Sequence, residues 1–214
     1  KRTIGYTPKA GTVAEGWTSS STSNSVNSFS LTQTYYGVSD GNQPYISTTN
    51  SLIIETPWIN VAGSQFGVGE LTGNNDGKMV EEYLGTCGLG KGNPWCAAYV
   101  NWSLEKVGID GVASNPAYSL NWNNWGDDAS GGTKSPAYGA IVTMKRDGGG
   151  HIGFVVGKTP SGQIVILGGN QEDKVSLMTK WPQNMIAFRY PAGYTQNKEL
   201  PIIDMKDKKG VTLY

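Results

Sequence analysis

The sequence predicts an α+β domain with N-terminal helices packed on an antiparallel β-meander, and three observations carry that expectation. Apolar residues recur at helical spacing in short blocks between Thr56 and Trp125. From Ala140 onward the pattern changes to short apolar runs separated by glycine-rich turns, the signature of strands. Helices first and a meander second define the class. A chain of 214 residues is long enough to bury a real core, as one domain with additions or at most two small ones.

In chain order, residues 1–55 differ from the rest. Residues 18–27 are almost all Ser, Thr and Asn and offer too little apolar surface to order themselves. Tyr35, Tyr36, Val38, Tyr45, Ile46, Leu52 and Ile54 alternate better, as in an added strand, an extended arm or a linker. We therefore read 1–55 as a Ser/Thr-rich, partly ordered arm. A catalytic domain at 56–191 and a C-terminal extension at 192–214 follow.

Thr56-Pro57 marks a helix start, with Trp58, Val61, Ala62 and Phe66 on one face. After a loop containing Glu70 and Gly73-Asn74-Asn75-Asp76-Gly77, a short helix carries Met79, Val80, Tyr83 and Leu84. Asn93 and Pro94 suit the cap and first position of a third helix, with Cys96, Val100, Leu104 and Val107 at helical spacing and Gly108 closing it. Pro116 opens a fourth, bearing Tyr118, Leu120, Trp122 and Trp125. Strands are expected at 140–144, 151–156, 163–167, 175–178 and 186–190, with turns at 147–150 and at Ser161-Gly162. Residues 200–203 are read as an added edge strand or a loose end.

Composition removes several function classes. Lys+Arg and Asp+Glu are both 17, so the chain lacks the basic surplus of a general nucleic-acid binder. No apolar run approaches the roughly 18–20 residues of a membrane span. One histidine and two cysteines do not make a typical zinc set. Thirty glycines and seven tryptophans suit a loop-rich domain with aromatic surfaces.

The chemistry narrows to few residues. A cysteine in the first turn of a helix meets unpaired N–H groups and the positive end of the dipole, which favour the thiolate. Cys96 is thus a candidate nucleophile or, alternatively, a small buried apolar residue. A bridge to Cys87, eight residues away along the chain, is a third reading. His151 follows three glycines and opens a strand, placing its ring at the sheet rim, as half of a thiol–imidazole pair or as a surface histidine at a turn. Asn170 ends the next strand, beside His151 if the two form a hairpin. A side-chain amide there orients an imidazole as a carboxylate does.

Four ordered motifs carry a resemblance: Pro94-Trp95-Cys96-Ala97-Ala98-Tyr99-Val100-Asn101, Gly139-Ala140-Ile141-Val142, His151-Ile152-Gly153-Phe154-Val155-Val156-Gly157 and Leu167-Gly168-Gly169-Asn170-Gln171. With Glu70, Gly73, Asn75 and Tyr83 ahead of them, they are similar to the CHAP-like branch of the NlpC papain-like superfamily, over roughly residues 57–191. The resemblance implies a papain-like fold and a cysteine peptidase or amidase that cleaves amide bonds of the peptidoglycan peptide. It assigns Cys96 as nucleophile, His151 as general base and Asn170 as the orienting residue. Glu70, Trp95 and Gln171 become positions that bind substrate or shape the cleft. Many CHAP enzymes have a glutamate where this chain has Gly168, so Asn170 would act alone.

No metal or organic cofactor is implied. The expected partner is peptidoglycan, with no nucleic acid and no membrane span, for a monomer secreted or delivered to the periplasm or wall of a target bacterium. Two settings fit: an antibacterial effector, with its secretion machinery and an immunity protein, or a phage or cell-associated lysin. Rival readings are an inactive wall-binding module on the same fold and an amidohydrolase or transferase acting on other amides.

Overall fold

A computed structural model describes residues 56–131, 135–146 and 149–205, so the predicted arm lies outside the described residues, as do 206–214 of the extension. Three helices come first: α1 (Pro57–Gly63), α2 (Lys78–Gly85) and α3 (Cys96–Glu105). The expected fourth helix is a 3-10 segment, Ser119–Asn124. The strands are β1 (Asp127–Asp128), β2 (Ile141–Arg146), β3 (Gly149–Lys158), β4 (Ile164–Gly168), β5 (Ser176–Lys180) and β6 (Met185–Tyr190). The α+β class is as the sequence predicts.

The sheet is more than a meander. Its order is β1-β6-β2-β3-β4-β5, with every pair antiparallel. Strands β2 to β5 run as neighbours, but β6 returns across the sheet to pair with β2 on the opposite side from β3. Alternation identifies a strand and its buried face. It carries no information on which edge a returning strand joins.

Helix α3 sits at the centre, between α1 and α2 on one side and β3 and β4 on the other. Every residue from Cys96 to Leu104 is buried, as expected of a helix enclosed on all sides. Aromatic side chains fill the α2–α3 junction. The ring of Tyr83 lies 5.7 Å from Trp95, 5.6 Å from Tyr99 and 5.0 Å from Trp102, between centroids. Their polar ends are satisfied: Tyr99 Oη donates to the Ala62 carbonyl at 2.8 Å and Tyr83 Oη to Gln65 Oε1 at 2.9 Å.

Of the two readings for residues 200–203, the added edge is the nearer, because Ile202 forms a parallel bridge with Lys158. Ile203 N donates to Lys158 O at 2.8 Å, and Lys158 N donates to Pro201 O at 2.9 Å. Ile203 is buried against the core. Residues 192–205 are therefore stitched to the far end of β3 and continue the same packed body.

Candidate active site

The site is built where α3 begins and β3 passes beneath it. Helix α3 starts two residues later than its sequence suggests. Trp95, with φ −118°, takes the cap position, and Asn93 instead donates its amide to the Gly90 carbonyl at 2.9 Å. Cys96 thereby becomes the first helical residue, with its own N–H free of an intrahelical acceptor. Both cysteines are free thiols, which removes the bridge between Cys87 and Cys96.

The expected thiolate-favouring environment is overridden. Burial pushes the Cys96 thiol above its ordinary value of 9.0, while the N–H of Ala97, the charge of Arg146 and the N–H groups of Ile152 and Cys96 itself pull the other way. Only 5% of the residue is exposed, so loss of water outweighs the helix terminus. The contact with the Ile152 N–H also places the sulfur against the backbone of the residue that follows His151.

His151 is not at the rim. It is the third residue of β3, paired with Met144 of β2, and only 3% exposed. Burial moves its pKa below 6.5; the Gln171 hydrogen bond opposes this, and the charges of Arg146 and Lys180 reinforce it. In both groups burial is the largest cause and works against the charged form, raising the thiol and lowering the imidazole.

The side chain that meets the imidazole is that of Gln171; the amide of Asn170, the residue expected there, is turned to Asn75. His151 Nε2 lies 3.0 Å from Gln171 Oε1. The amide cannot turn over, because Gln171 Nε2 donates to the Ser176 carbonyl at 2.6 Å. Its oxygen therefore faces the ring, His151 Nε2 carries the proton, and Nδ1 presents its lone pair. That Nδ1 is buried and without a hydrogen-bond partner. An unpartnered buried acceptor is costly in a structural histidine and is what a general base needs.

Gly168 explains how Gln171 reaches this place. A Cβ added at Gly168 would lie 2.6 Å from Gln171 Oε1 and 3.0 Å from Gln171 Cδ. The space a side chain at 168 would enter is filled by a glutamine arriving from three residues further on. Gly169 is constrained from the other side, where a Cβ would lie 2.5 Å from the Trp95 ring.

Asn170 serves a different contact. Its Nδ2 donates to Asn75 Oδ1 at 3.1 Å, with φ +54°. It latches the loop before α2 to the loop after β4, helped by Glu70 N donating to Asp173 O at 2.9 Å. Trp95 is fully buried, so it is core rather than a substrate contact. Its Nε1 donates to Glu70 Oε1 at 2.8 Å, and Glu70 Oε2 accepts from Asn75 N at 2.7 Å. Glu70 thus fixes the residue before the cysteine and the loop that Asn170 holds. Replacing Glu70 with Ala should lower stability by about 1–3 kcal/mol, because two donors lose a charged acceptor; an unchanged urea midpoint would contradict this.

A cleft of about 560 Å³ opens beside His151, Asn170 and Gln171 and is bounded by the ends of β2 and by β5. Among the described residues no group of three or more metal-ligating side chains is present, and no helix is long and apolar enough to cross a membrane.

Comparison with known families gives one match. Residues 88–170 match the family model of the CHAP domain, a stretch that contains Cys96, His151 and Asn170 and stops one residue short of Gln171. No curated protein matches the chain. The resemblance read from the sequence is thus shown over that stretch, and a CHAP domain implies peptidoglycan hydrolase or amidase-type activity in general.

Proposed function

We propose that this protein is a cysteine-dependent peptidoglycan hydrolase that cleaves amide bonds of the wall peptide, with Cys96 as nucleophile, His151 as base and Gln171 as positioning residue. The observation that carries the reading is the histidine locked in one tautomer with its free nitrogen buried, on the strand whose next residue, Ile152, turns its N–H to the helix-terminal thiol of Cys96. An inactive binding module has no use for such an arrangement.

The chemistry follows from the protonation states. His151 Nδ1 takes the thiol proton as Cys96 sulfur attacks the peptide carbonyl, so the thiolate forms in the step that uses it. The other ring proton stays on Nε2 and is donated to Gln171 Oε1, an acceptor that stabilises the imidazolium. The oxyanion is met by the Cys96 N–H at the start of α3. His151 then gives its proton from Nδ1 to the leaving amine. The thioester is hydrolysed by water that His151 deprotonates, restoring thiol and imidazole. Such a substrate places the protein's work at a bacterial wall or periplasm, as an effector or a lysin.

The test is the clearing of a peptidoglycan suspension by the full chain before and after alkylation. Modification of Cys96 should stop clearing, and Cys87→Ser should clear normally, since Cys87 is half-buried on α2's far loop. Clearing that survives complete alkylation of Cys96 would overturn the reading. The pH profile gives a second check. The base is active when unprotonated, so kcat/KM should fall on the acid side with a midpoint below 6.5 and persist on the alkaline side to near or above 9.0. The same depression costs stability as pH drops below the ordinary 6.5 toward the lowered value, because over that window the unfolded chain binds a proton that the fold refuses. An acid limb at or above 6.5 would contradict the lowered imidazole.

A further inference from the structure

The cleft beside His151 continues into a second hollow of about 490 Å³, and the two share Met144, Lys145 and Lys180. Together they form a trough that leads from the histidine toward Met185 and Ile186. Lys145, Arg146 and Lys180 stand along it, with Glu172 the only acidic residue lining it among the described residues. None of the three cations is in an ion pair among those residues. Among the described residues, three cations without an ion pair thus stand on one approach to His151, in a chain with no net charge. Arg146 is close enough for its charge to act on both Cys96 and His151.

We infer that this trough is a subsite for a free carboxylate on the wall peptide, held by Arg146 and Lys180 on the His151 side of the scissile amide. The inference rests on the hydrolase reading above and adds a specificity to it. A guanidinium suits a carboxylate because it offers two parallel N–H donors, and Lys180 adds a second positive charge across the trough. A peptide whose carboxylate is capped as an amide loses that attraction and leaves the cations without a partner. Selection therefore acts through binding of the anionic peptide rather than through the reacting pair.

The experiment compares one soluble stem peptide in its free-acid and amidated forms, cleaved by the full-length wild type and by Arg146→Gln/Lys180→Gln. The wild type should show a KM about fivefold to tenfold lower for the free acid, as two partly exposed charge-assisted contacts allow. That preference should shrink in high salt and fall close to one in the double variant. Equal KM values in the wild type, or a preference that survives the double substitution, would overturn the subsite. Failure to cleave either peptide would count against the hydrolase reading instead. Calorimetric binding of the same two peptides to full-length Cys96→Ala then decides the subsite: tighter free-acid binding supports it, and equal or absent binding overturns it.

Discussion

Replacing Cys96 with Ala should reduce peptidoglycan cleavage by about a thousandfold or more, since the acyl intermediate forms on its sulfur. The fold should survive. The substitution removes a single sulfur from a first-turn position, and the helix behind it is anchored by fully buried Tyr99, Val100 and Leu104. The cost in stability should be about 1 kcal/mol, the usual size for a single substitution. His151→Ala should inactivate to a similar extent but with a larger loss of stability, because it empties a buried site and strands Gln171 Oε1. Rates on purified wall together with thermal unfolding separate the two effects. Substantial activity in Cys96→Ala would end the thiol mechanism.

Gln171→Ala should cost about tenfold to a hundredfold in kcat, the range for losing a group that holds a catalytic side chain in place. Without Gln171 Oε1 the imidazole loses both its fixed tautomer and the acceptor that steadies its charged form. Asn170→Ala should cost less in kcat and act mainly on stability, because its amide bonds Asn75 rather than the histidine. The opposite ranking would restore the assignment made from the motif. Gln171→Glu offers a readout that a purely structural role would not move. A carboxylate beside His151 stabilises the imidazolium, so the acid limb of the rate profile should shift to higher pH. An unmoved limb would show that residue 171 does not act through the ring.

The sequence made the helices and strands legible because each is marked by its own chemistry. Pro57 and the glycines at 63, 67 and 85 punctuate the early helices, and the apolar runs at 141–144 and 152–156 alternate with turn residues. Cys96 stands out at a helix start, and His151 as the single histidine, behind a run of glycines. The side chain that meets the imidazole does not stand out. Asn170 and Gln171 are adjacent amides, and only side-chain direction separates them. That direction depends on Gly168 leaving room and on the Ser176 carbonyl claiming the glutamine nitrogen, a contact made from the neighbouring strand.

The electrostatics were illegible for a related cause. A first-turn cysteine reads as a thiolate when only its helix is considered. Enclosure by the sheet and by α2 takes away the water on which that charge depends. Glu70 and Trp95 matched a motif, and their purpose became visible only as a mutual hydrogen bond across the loop. Lys145 and Arg146 end β2 and Lys180 ends β5, so the third cation joins the other two only in the folded sheet.

The most direct test of the assignment is mass analysis of the fragments released from purified peptidoglycan by the wild type and by Cys96→Ala. The account predicts wild-type products in which one amide has gained a water, giving a new carboxyl and a new amine on an intact sugar chain, and no such products from the variant. Cleaved sugar linkages with intact peptides, or identical products from Cys96→Ala, would contradict it.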